Sequence, residues 1–209
     1  FALNSIENAR FKADVQISKR ALHEVFLPHF KRCIEEGAAS VMGAYNKVLG
    51  EQASESSFLL RDILRDKWGF EGFTLSDFLW AVKDGVKGVK GGMNIEMPCF
   101  CHYIEDIPKA LEDGRLEMAD LDEAVGYILR TIYYYETRKD PQEYGEDILA
   151  WDIHVQVAKR AAQESMVLLK NEGKVLPLDK QKTEKIVVLG VLGDIENIGD
   201  HGSSKVHPY

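Results

Sequence analysis

The chain has 209 residues, of which 45% are hydrophobic and 29% charged, with a formal net charge of −8. This reads as a soluble globular protein with ample material for a core. The acidic balance argues against a nucleic-acid surface, which needs clustered Lys and Arg, and no run of about 18 apolar residues predicts a membrane-spanning helix.

The chain opens Phe1-Ala2-Leu3-Asn4, with neither an initiator Met nor a signal sequence, and stops at His207-Pro208-Tyr209 soon after a fresh strand begins. The expectation is an internal piece of a longer protein. The first segment, Phe1 to Val15, is polar and loop-like, with Glu7 and Arg10 spaced for a local ion pair. Ser18 can cap a helix in which Leu22, Val25 and Phe26 share a face. Pro28 predicts a kink or restart, with Phe30 and Ile34 continuing inward and Gly37 ending the helix. Ala38 to Tyr45 then reads as a strand of small and apolar residues, with Tyr45 and Asn46 at its end. Lys47 to Ser54 reads as a long loop able to reach over a pocket.

Phe58 to Trp68 carries apolar residues at helical spacing, and two glycines separate it from a short apolar run, Phe73 to Leu75. That run suits a buried parallel strand and ends on an acid, Asp77. In α/β repeats the C-terminal ends of strands tend to carry the chemistry, although an aspartate there can also cap the next helix. Thr74 follows Val41 by 33 residues, about one βα repeat. A glycine-punctuated helix is predicted from Phe78 to Lys90, then a third short strand, Met93 to Pro98, with Glu96 near its end. Strands delivering polar residues at matching ends suggest the rim of a (β/α) barrel. Two helices follow, the second with an apolar stripe of Leu121, Val125, Ile128, Leu129 and Ile132. Tyr133, Tyr134 and Tyr135 read as packing more readily than as a sugar platform.

Arg138 to Ala150, with Pro141, Gly145 and many charges, reads as a linker. A helix is expected from about Asp152 to Leu169, a turn at Asn171-Glu172-Gly173, and a buried strand over Lys185 to Gly190 that opens a second α/β unit. The glycine-serine loop from Gly199 to Ser204 is not a dinucleotide fingerprint. Cys99 and Cys101 are too close to pair comfortably, and with Cys33 and six scattered histidines they lack metal-site spacing. Free thiols are expected, with no metal and no cofactor.

Several segments together resemble glycoside hydrolase family 3, the β-glucosidase and β-xylosidase group. They are Val41-Met42-Gly43-Ala44-Tyr45-Asn46-Lys47-Val48 with Gly50, Leu64-Arg65-Asp66-Lys67-Trp68-Gly69-Phe70 with Gly72, Ser76-Asp77, and Glu96-Met97-Pro98. After the linker come Glu164-Ser165-Met166-Val167-Leu168-Leu169-Lys170-Asn171 and Leu176-Pro177-Leu178. The resemblance implies an α/β chain holding the later part of a (β/α)8-type barrel (1–137), a linker (138–150) and the beginning of an α/β sandwich domain (151–209). It makes Asp77 the nucleophile of a retaining β-glycosidase. Tyr45 assists at the −1 sugar, and Met42 lines the same subsite. Phe1 resembles the third residue of the family's Lys-His-Phe motif, whose Lys and His bind sugar hydroxyls. Arg10 is implied to help bind the sugar, and Ser203, or its neighbour Ser204, to reach the site from the sandwich.

Two departures stand out. Phe78 replaces the usual Trp after the nucleophile, which keeps a stacking wall and loses the indole N–H. Asn94 stands where many members have Asp. Glu96 is read as structural. The family's acid/base, a Glu of the sandwich domain, has no candidate here and would lie beyond Tyr209. The implied substrate is a small β-linked oligosaccharide or glycoside, with no nucleic acid and no membrane span, and with homo-oligomerisation left open. The alternative is a non-catalytic, carbohydrate-binding or structural member of the same fold.

Overall fold

The computed structural model describes residues 1–98, 101–138, 152–195 and 198. The chain divides into two units, Phe1–Lys139 and Asp140–Tyr209. In the first, a tight helical turn at Glu7–Ala9 leads into β1 (Asp14–Val15). Ser18 then caps α1 (Lys19–Ala21), its Oγ accepting the Ala21 N–H at 3.2 Å. The helix widens to a π-turn over Leu22–Phe26 and restarts as α2 (Pro28–Glu35), with Pro28 in the first turn, where a missing N–H costs nothing. Gly37, at φ +96°, turns the chain out of α2.

Next comes β2 (Ser40–Gly43), followed by a hairpin of β3 (Lys47–Val48) and β4 (Glu51–Gln52). This is a difference from the expected loop: Leu49 and Gly50 both take positive φ, the tight-turn geometry that matches hairpin twist. β1 adds to β3 in parallel, so the polar first segment also holds a strand. A helix wound largely as π-turns spans Phe58–Lys67 and delivers the chain to β5 (Phe73–Ser76).

β2 and β5 are parallel and paired from Ser40 opposite Phe73 to Gly43 opposite Ser76, which sets Val41 against Thr74. Gly72 lets the strands close up at their start, because a Cβ there would collide with the Ala39 carbonyl. The predicted third strand is reduced to a single parallel bridge, Ile95 beside Leu75. Three further helices complete the unit: α3 (Gly85–Gly91), α4 (His102–Glu112) and α5 (Met118–Thr137).

The core gathers Leu22, Leu27, Leu59, Leu60, Ile63, Leu64, Phe70 and Met93, all buried, around the inner side of the Phe58–Lys67 helix. A smaller cluster of Val89, Ala110 and Leu116 joins α3 to α4. Leu60 is fully buried. Leu60→Ala is therefore expected to lower the unfolding free energy by about 2–5 kcal/mol, read from urea titrations with an unchanged m-value. The face that α5 buries matches the predicted stripe only in part, with Leu121 and Ile128 half-buried. Ala124 and Thr131 are its buried residues, whereas Val125, Leu129 and Ile132 are exposed. On the inward side the Arg65 guanidinium lies 3.4 Å from the centroid of the Tyr127 ring.

In the second unit α6 (Asp152–Glu164) is shorter than predicted. Asn171 brackets the following turn, its Nδ2 donating to the Leu176 carbonyl at 2.7 Å and its Oδ1 accepting the Leu176 N–H at 3.2 Å. Lys185 to Leu189 form no strand: Ile186, Val187, Val188 and Leu189 are all exposed, and no ladder partner lies beside them among the described residues. Apolar content alone does not make a strand, since its N–H and C=O groups must find a neighbour.

Candidate active site

The site is built where the two parallel strands end. Asp77 follows β5 directly, and its backbone N–H donates to the Gly43 carbonyl at the tip of β2, at 3.2 Å. Alternation places Met42 and Leu75 on one face of the pair, and Asp77 continues the same face beyond Leu75. Met42 is half exposed there. The Ser76 side chain, fully buried, accepts the Met97 N–H at 2.9 Å and so ties the strand end to the segment after Ile95.

Asp77 caps no helix. Its Oδ1 accepts the N–H of the next residue, Phe78, at 2.7 Å, and regular helix resumes only at Gly85. The predicted helix from Phe78 is absent: Leu79 takes φ +64°, outside the helical region, and groups from other segments hold the stretch. Leu79 donates to the Met97 carbonyl at 3.0 Å, and the Glu55 carboxylate accepts the N–H groups of Lys83 and Asp84. Asp84 then caps α3 by accepting the Lys87 N–H at 3.0 Å.

Tyr45 reaches the same point from β2. Its hydroxyl donates to the Phe78 carbonyl at 3.0 Å. The charge of the Asp77 carboxylate also acts on it. Burial first, and then Asp77, push the Tyr45 phenol from its ordinary 10.0 up to about 12. The stability tied to its proton is therefore intact below pH 10 and is lost as pH rises through about 12. A near-ultraviolet titration of the protein minus that of Tyr45→Phe is expected to show one phenol ionising near 12. A midpoint at the ordinary value would show that neither burial nor Asp77 acts on the phenol. The Phe78 backbone thus serves both neighbours, its N–H holding the carboxylate and its C=O holding the phenol. The ring itself is half exposed.

Arg10 arrives from the Glu7–Ala9 turn. It pairs with Glu7 at 3.2 Å, and its guanidinium stands over the Phe11 ring at 4.4 Å and near the Tyr45 ring at 5.7 Å. Its Nε is buried with no hydrogen-bond partner. Asp77, Tyr45, Phe78 and Arg10 therefore stand together, with Met42 on the Asp77 face. Ser203 and Ser204 lie outside the described residues, as does Cys99. Among the described residues no group of three or more His, Cys, Asp or Glu is placed to hold a metal ion.

Residues 5–131 match the family model described as glycosyl hydrolase family 3 N terminal domain. The chain belongs to glycosyl hydrolase family 3. Over its whole length it is 37% identical to thermostable beta-glucosidase B of Acetivibrio thermocellus, and 34% identical to an exo-alpha-(1->6)-L-arabinopyranosidase of Bifidobacterium breve. Among solved structures it resembles beta-glucosidase 3B of Thermotoga neapolitana in complex with alpha-D-glucose, with a TM-score of 0.76, 33% identity and 95% of this chain covered. The chain spans 27% of the length of the first relative and 28% of each of the other two proteins.

Asn94 and Glu96 both have local structural partners. Asn94 accepts the Thr74 N–H at 2.8 Å and Thr74 Oγ1 at 3.0 Å, and receives Arg65 Nη2 at 2.8 Å. Arg65 is buried, and desolvation lowers its pKa. Neutral acceptors hold it, including the Phe70 and Gly72 carbonyls at 3.2 and 3.1 Å. Glu96 accepts the N–H groups of His102 and Tyr103 at 3.0 and 2.6 Å, satisfying the first turn of α4. Sequence reasoning missed Phe11 and Trp80. Phe11 packs edge-to-face on Tyr45 at 4.8 Å and on Trp80 at 5.3 Å. Their signal lay in plain sight, one residue after Arg10 and three after Asp77.

Proposed function

We propose that this family 3 chain forms the nucleophile side of a retaining β-glycosidase, with Asp77 as nucleophile. The observation that carries the reading is the strand-end carboxylate of Asp77, oriented by the N–H of Phe78, the residue whose carbonyl also holds the Tyr45 hydroxyl. In the first step an Asp77 oxygen attacks the anomeric carbon and forms a glycosyl ester. The bond from that carbon to the leaving oxygen breaks, and a second carboxyl group supplies the proton that oxygen needs. In the second step water attacks the same carbon and gives its proton to that second carboxyl, now a carboxylate. The ester bond breaks and Asp77 is regenerated.

Tyr45 and Arg10 are assigned to the −1 sugar: the phenol as a donor that keeps its proton throughout the neutral range, the guanidinium as a charged donor. Met42 and the Phe78 ring give that sugar apolar contact. Ser203 is assigned to the same sugar from the second unit. The second carboxyl is assigned to a Glu of an α/β sandwich domain, and no residue of the described chain takes that role. Residues 1–137 are assigned to the later part of a (β/α)8-type barrel, 138–150 to a linker and 151–209 to the beginning of the sandwich. The parallel pairing of β2 with β5 and the likeness to family 3 β-glucosidase structures support that architecture. The substrate is a small β-linked glycoside, the class named in the relatives called beta-glucosidases.

The test is stereochemical. With the protein expressed from its complete reading frame and an aryl β-glucoside, proton NMR is expected to detect the β-anomer of the free sugar first. An α-anomer appearing first would mean single displacement by water and remove the nucleophile role from Asp77.

A further inference from the structure

We propose that Glu55 is a positioning residue for the reaction: it holds the far end of the loop that starts at Asp77 and ties that loop to the end of β2 that carries Tyr45. The inference rests on the reading of Asp77 as nucleophile and adds a residue that acts on it through the backbone. Between Asp77 and the start of α3 at Gly85 the chain forms neither helix nor strand, so groups from other segments must fix its course. At the near end the Asp77 N–H donates to the Gly43 carbonyl at 3.2 Å, and the Leu79 N–H to the Met97 carbonyl at 3.0 Å. At the far end one carboxylate oxygen of Glu55 accepts two successive N–H groups, those of Lys83 and Asp84, the latter at 2.9 Å. Ala81 and Val82, just before them, are fully buried.

Glu55 closes a stretch of four residues whose other members grip the end of β2. The carbonyls of Ala44, Tyr45 and Asn46 are consecutive, and each has its own donor in that stretch. Ser54 Oγ donates to Ala44 at 3.0 Å, the Gln52 side-chain amide donates to Tyr45, and the Ala53 N–H donates to Asn46 at 3.0 Å. Gln52, Ala53 and Ser54 are all buried, so water does not compete for these bonds. The Glu55 backbone is fixed as well. Its N–H donates to the Gln52 carbonyl at 2.9 Å, and Gly91 of α3 lies so close that a Cβ there would collide with the Glu55 carbonyl. The two arms of the site are thus joined twice: directly, where the Tyr45 hydroxyl donates to the Phe78 carbonyl at 3.0 Å, and again through Gln52 to Glu55. The reach of the Glu55 side chain sets the second span.

The experiment uses the protein from its complete reading frame and a 2-deoxy-2-fluoro-β-glucoside with a dinitrophenyl leaving group. It reads the saturating rate of inactivation, inhibition by free glucose, and Tm. Glu55→Ala is expected to lower the inactivation rate by about tenfold to a hundredfold, the scale of a small misplacement of a reacting group. Inhibition by free glucose, which requires no attack by Asp77, should stay within about threefold. Glu55→Gln keeps the length and an acceptor oxygen and should restore the rate to within about fivefold of the wild type. Glu55→Asp keeps the charge but is one methylene short, and should fall with Glu55→Ala. If Glu55→Ala does not fold, the Gln and Asp variants carry the same comparison.

An unchanged inactivation rate in Glu55→Ala, whatever its Tm, would overturn the proposal and leave Glu55 a stabilising residue only. Rescue by Asp, or failure of Gln to rescue, would overturn it too, because the effect would not follow the reach of the side chain. Glucose inhibition weakened in parallel with the rate would move the effect from attack to sugar binding and likewise reject the role. Mass spectrometry of the trapped protein separates this from the underlying reading. A wild type labelled on Asp77 no faster than Glu55→Ala rejects the positioning role alone. A wild type labelled on another carboxylate rejects the nucleophile role, and the positioning role with it.

Discussion

Asp77→Asn is expected to lower turnover of an aryl β-glucoside by about three orders of magnitude or more in the protein from its complete reading frame. Its Tm should move by no more than a few degrees. The change removes the attacking oxygen anion and keeps the shape of the side chain. The amide oxygen can still accept the Phe78 N–H that Asp77 accepts at 2.7 Å, so the loop through Trp80 has no reason to move. The Tyr45 hydroxyl keeps its acceptor, the Phe78 carbonyl at 3.0 Å. The fold should therefore survive while the chemistry stops. An Asn variant retaining a tenth of the activity would mean that the carboxylate only assists.

The second large effect concerns residues 1–209 expressed alone. Retaining hydrolysis needs two carboxyl groups about 5–5.5 Å apart, and the account assigns only one of them to this chain. Without an acid to protonate the departing oxygen, roughly two to four orders of magnitude are lost. Aryl β-glucoside hydrolysis by 1–209 is thus expected to fall at least a hundredfold below that of the protein from its complete reading frame. Association is expected as well. Leu169 is 92% exposed and Leu189 87%, and on α5 Val125, Leu129 and Ile132 stand open in a row. Size-exclusion chromatography with dye binding reads this directly. Monomeric material with turnover near the parent's would show that the second carboxyl is already within these residues.

What could be seen in the sequence was whatever depends on local periodicity or on short, bounded runs. The Phe58–Lys67 helix and the runs that became β2 and β5 were of this kind, and the spacing of Val41 and Thr74 anticipated their pairing. The place of Asp77 at a strand end was visible in the acid that closes the apolar run, whereas the role proposed for it came from the resemblance of the surrounding motifs to the family. Missed features depend on contacts between distant segments. The hairpin of β3 and β4 is only two residues on each side and turns at Leu49-Gly50, which lacks the usual Asn-Gly signal. The stretch from Phe78 to Lys83 looked helical by composition and is held open by Glu55 and Met97, which no local window contains. Phe11 and Trp80 meet only once both loops are folded. On α5 the apolar stripe was correctly periodic, but the inward side is shared with Ala124, Thr131 and Tyr127, the last against Arg65. The strand expected at Lys185 had the right composition, with nothing described beside it to supply a ladder.

The role of Asp77 is tested most directly by trapping the covalent intermediate. A 2-deoxy-2-fluoro-β-glucoside with an activated leaving group slows both steps, and the second more than the first, so the glycosyl ester accumulates. After peptic digestion and tandem mass spectrometry, the account predicts one modified peptide, spanning Phe73 to Phe78, with the added sugar on Asp77. An adduct on any other carboxylate, with Asp77 unmodified and the enzyme inactivated, would contradict it.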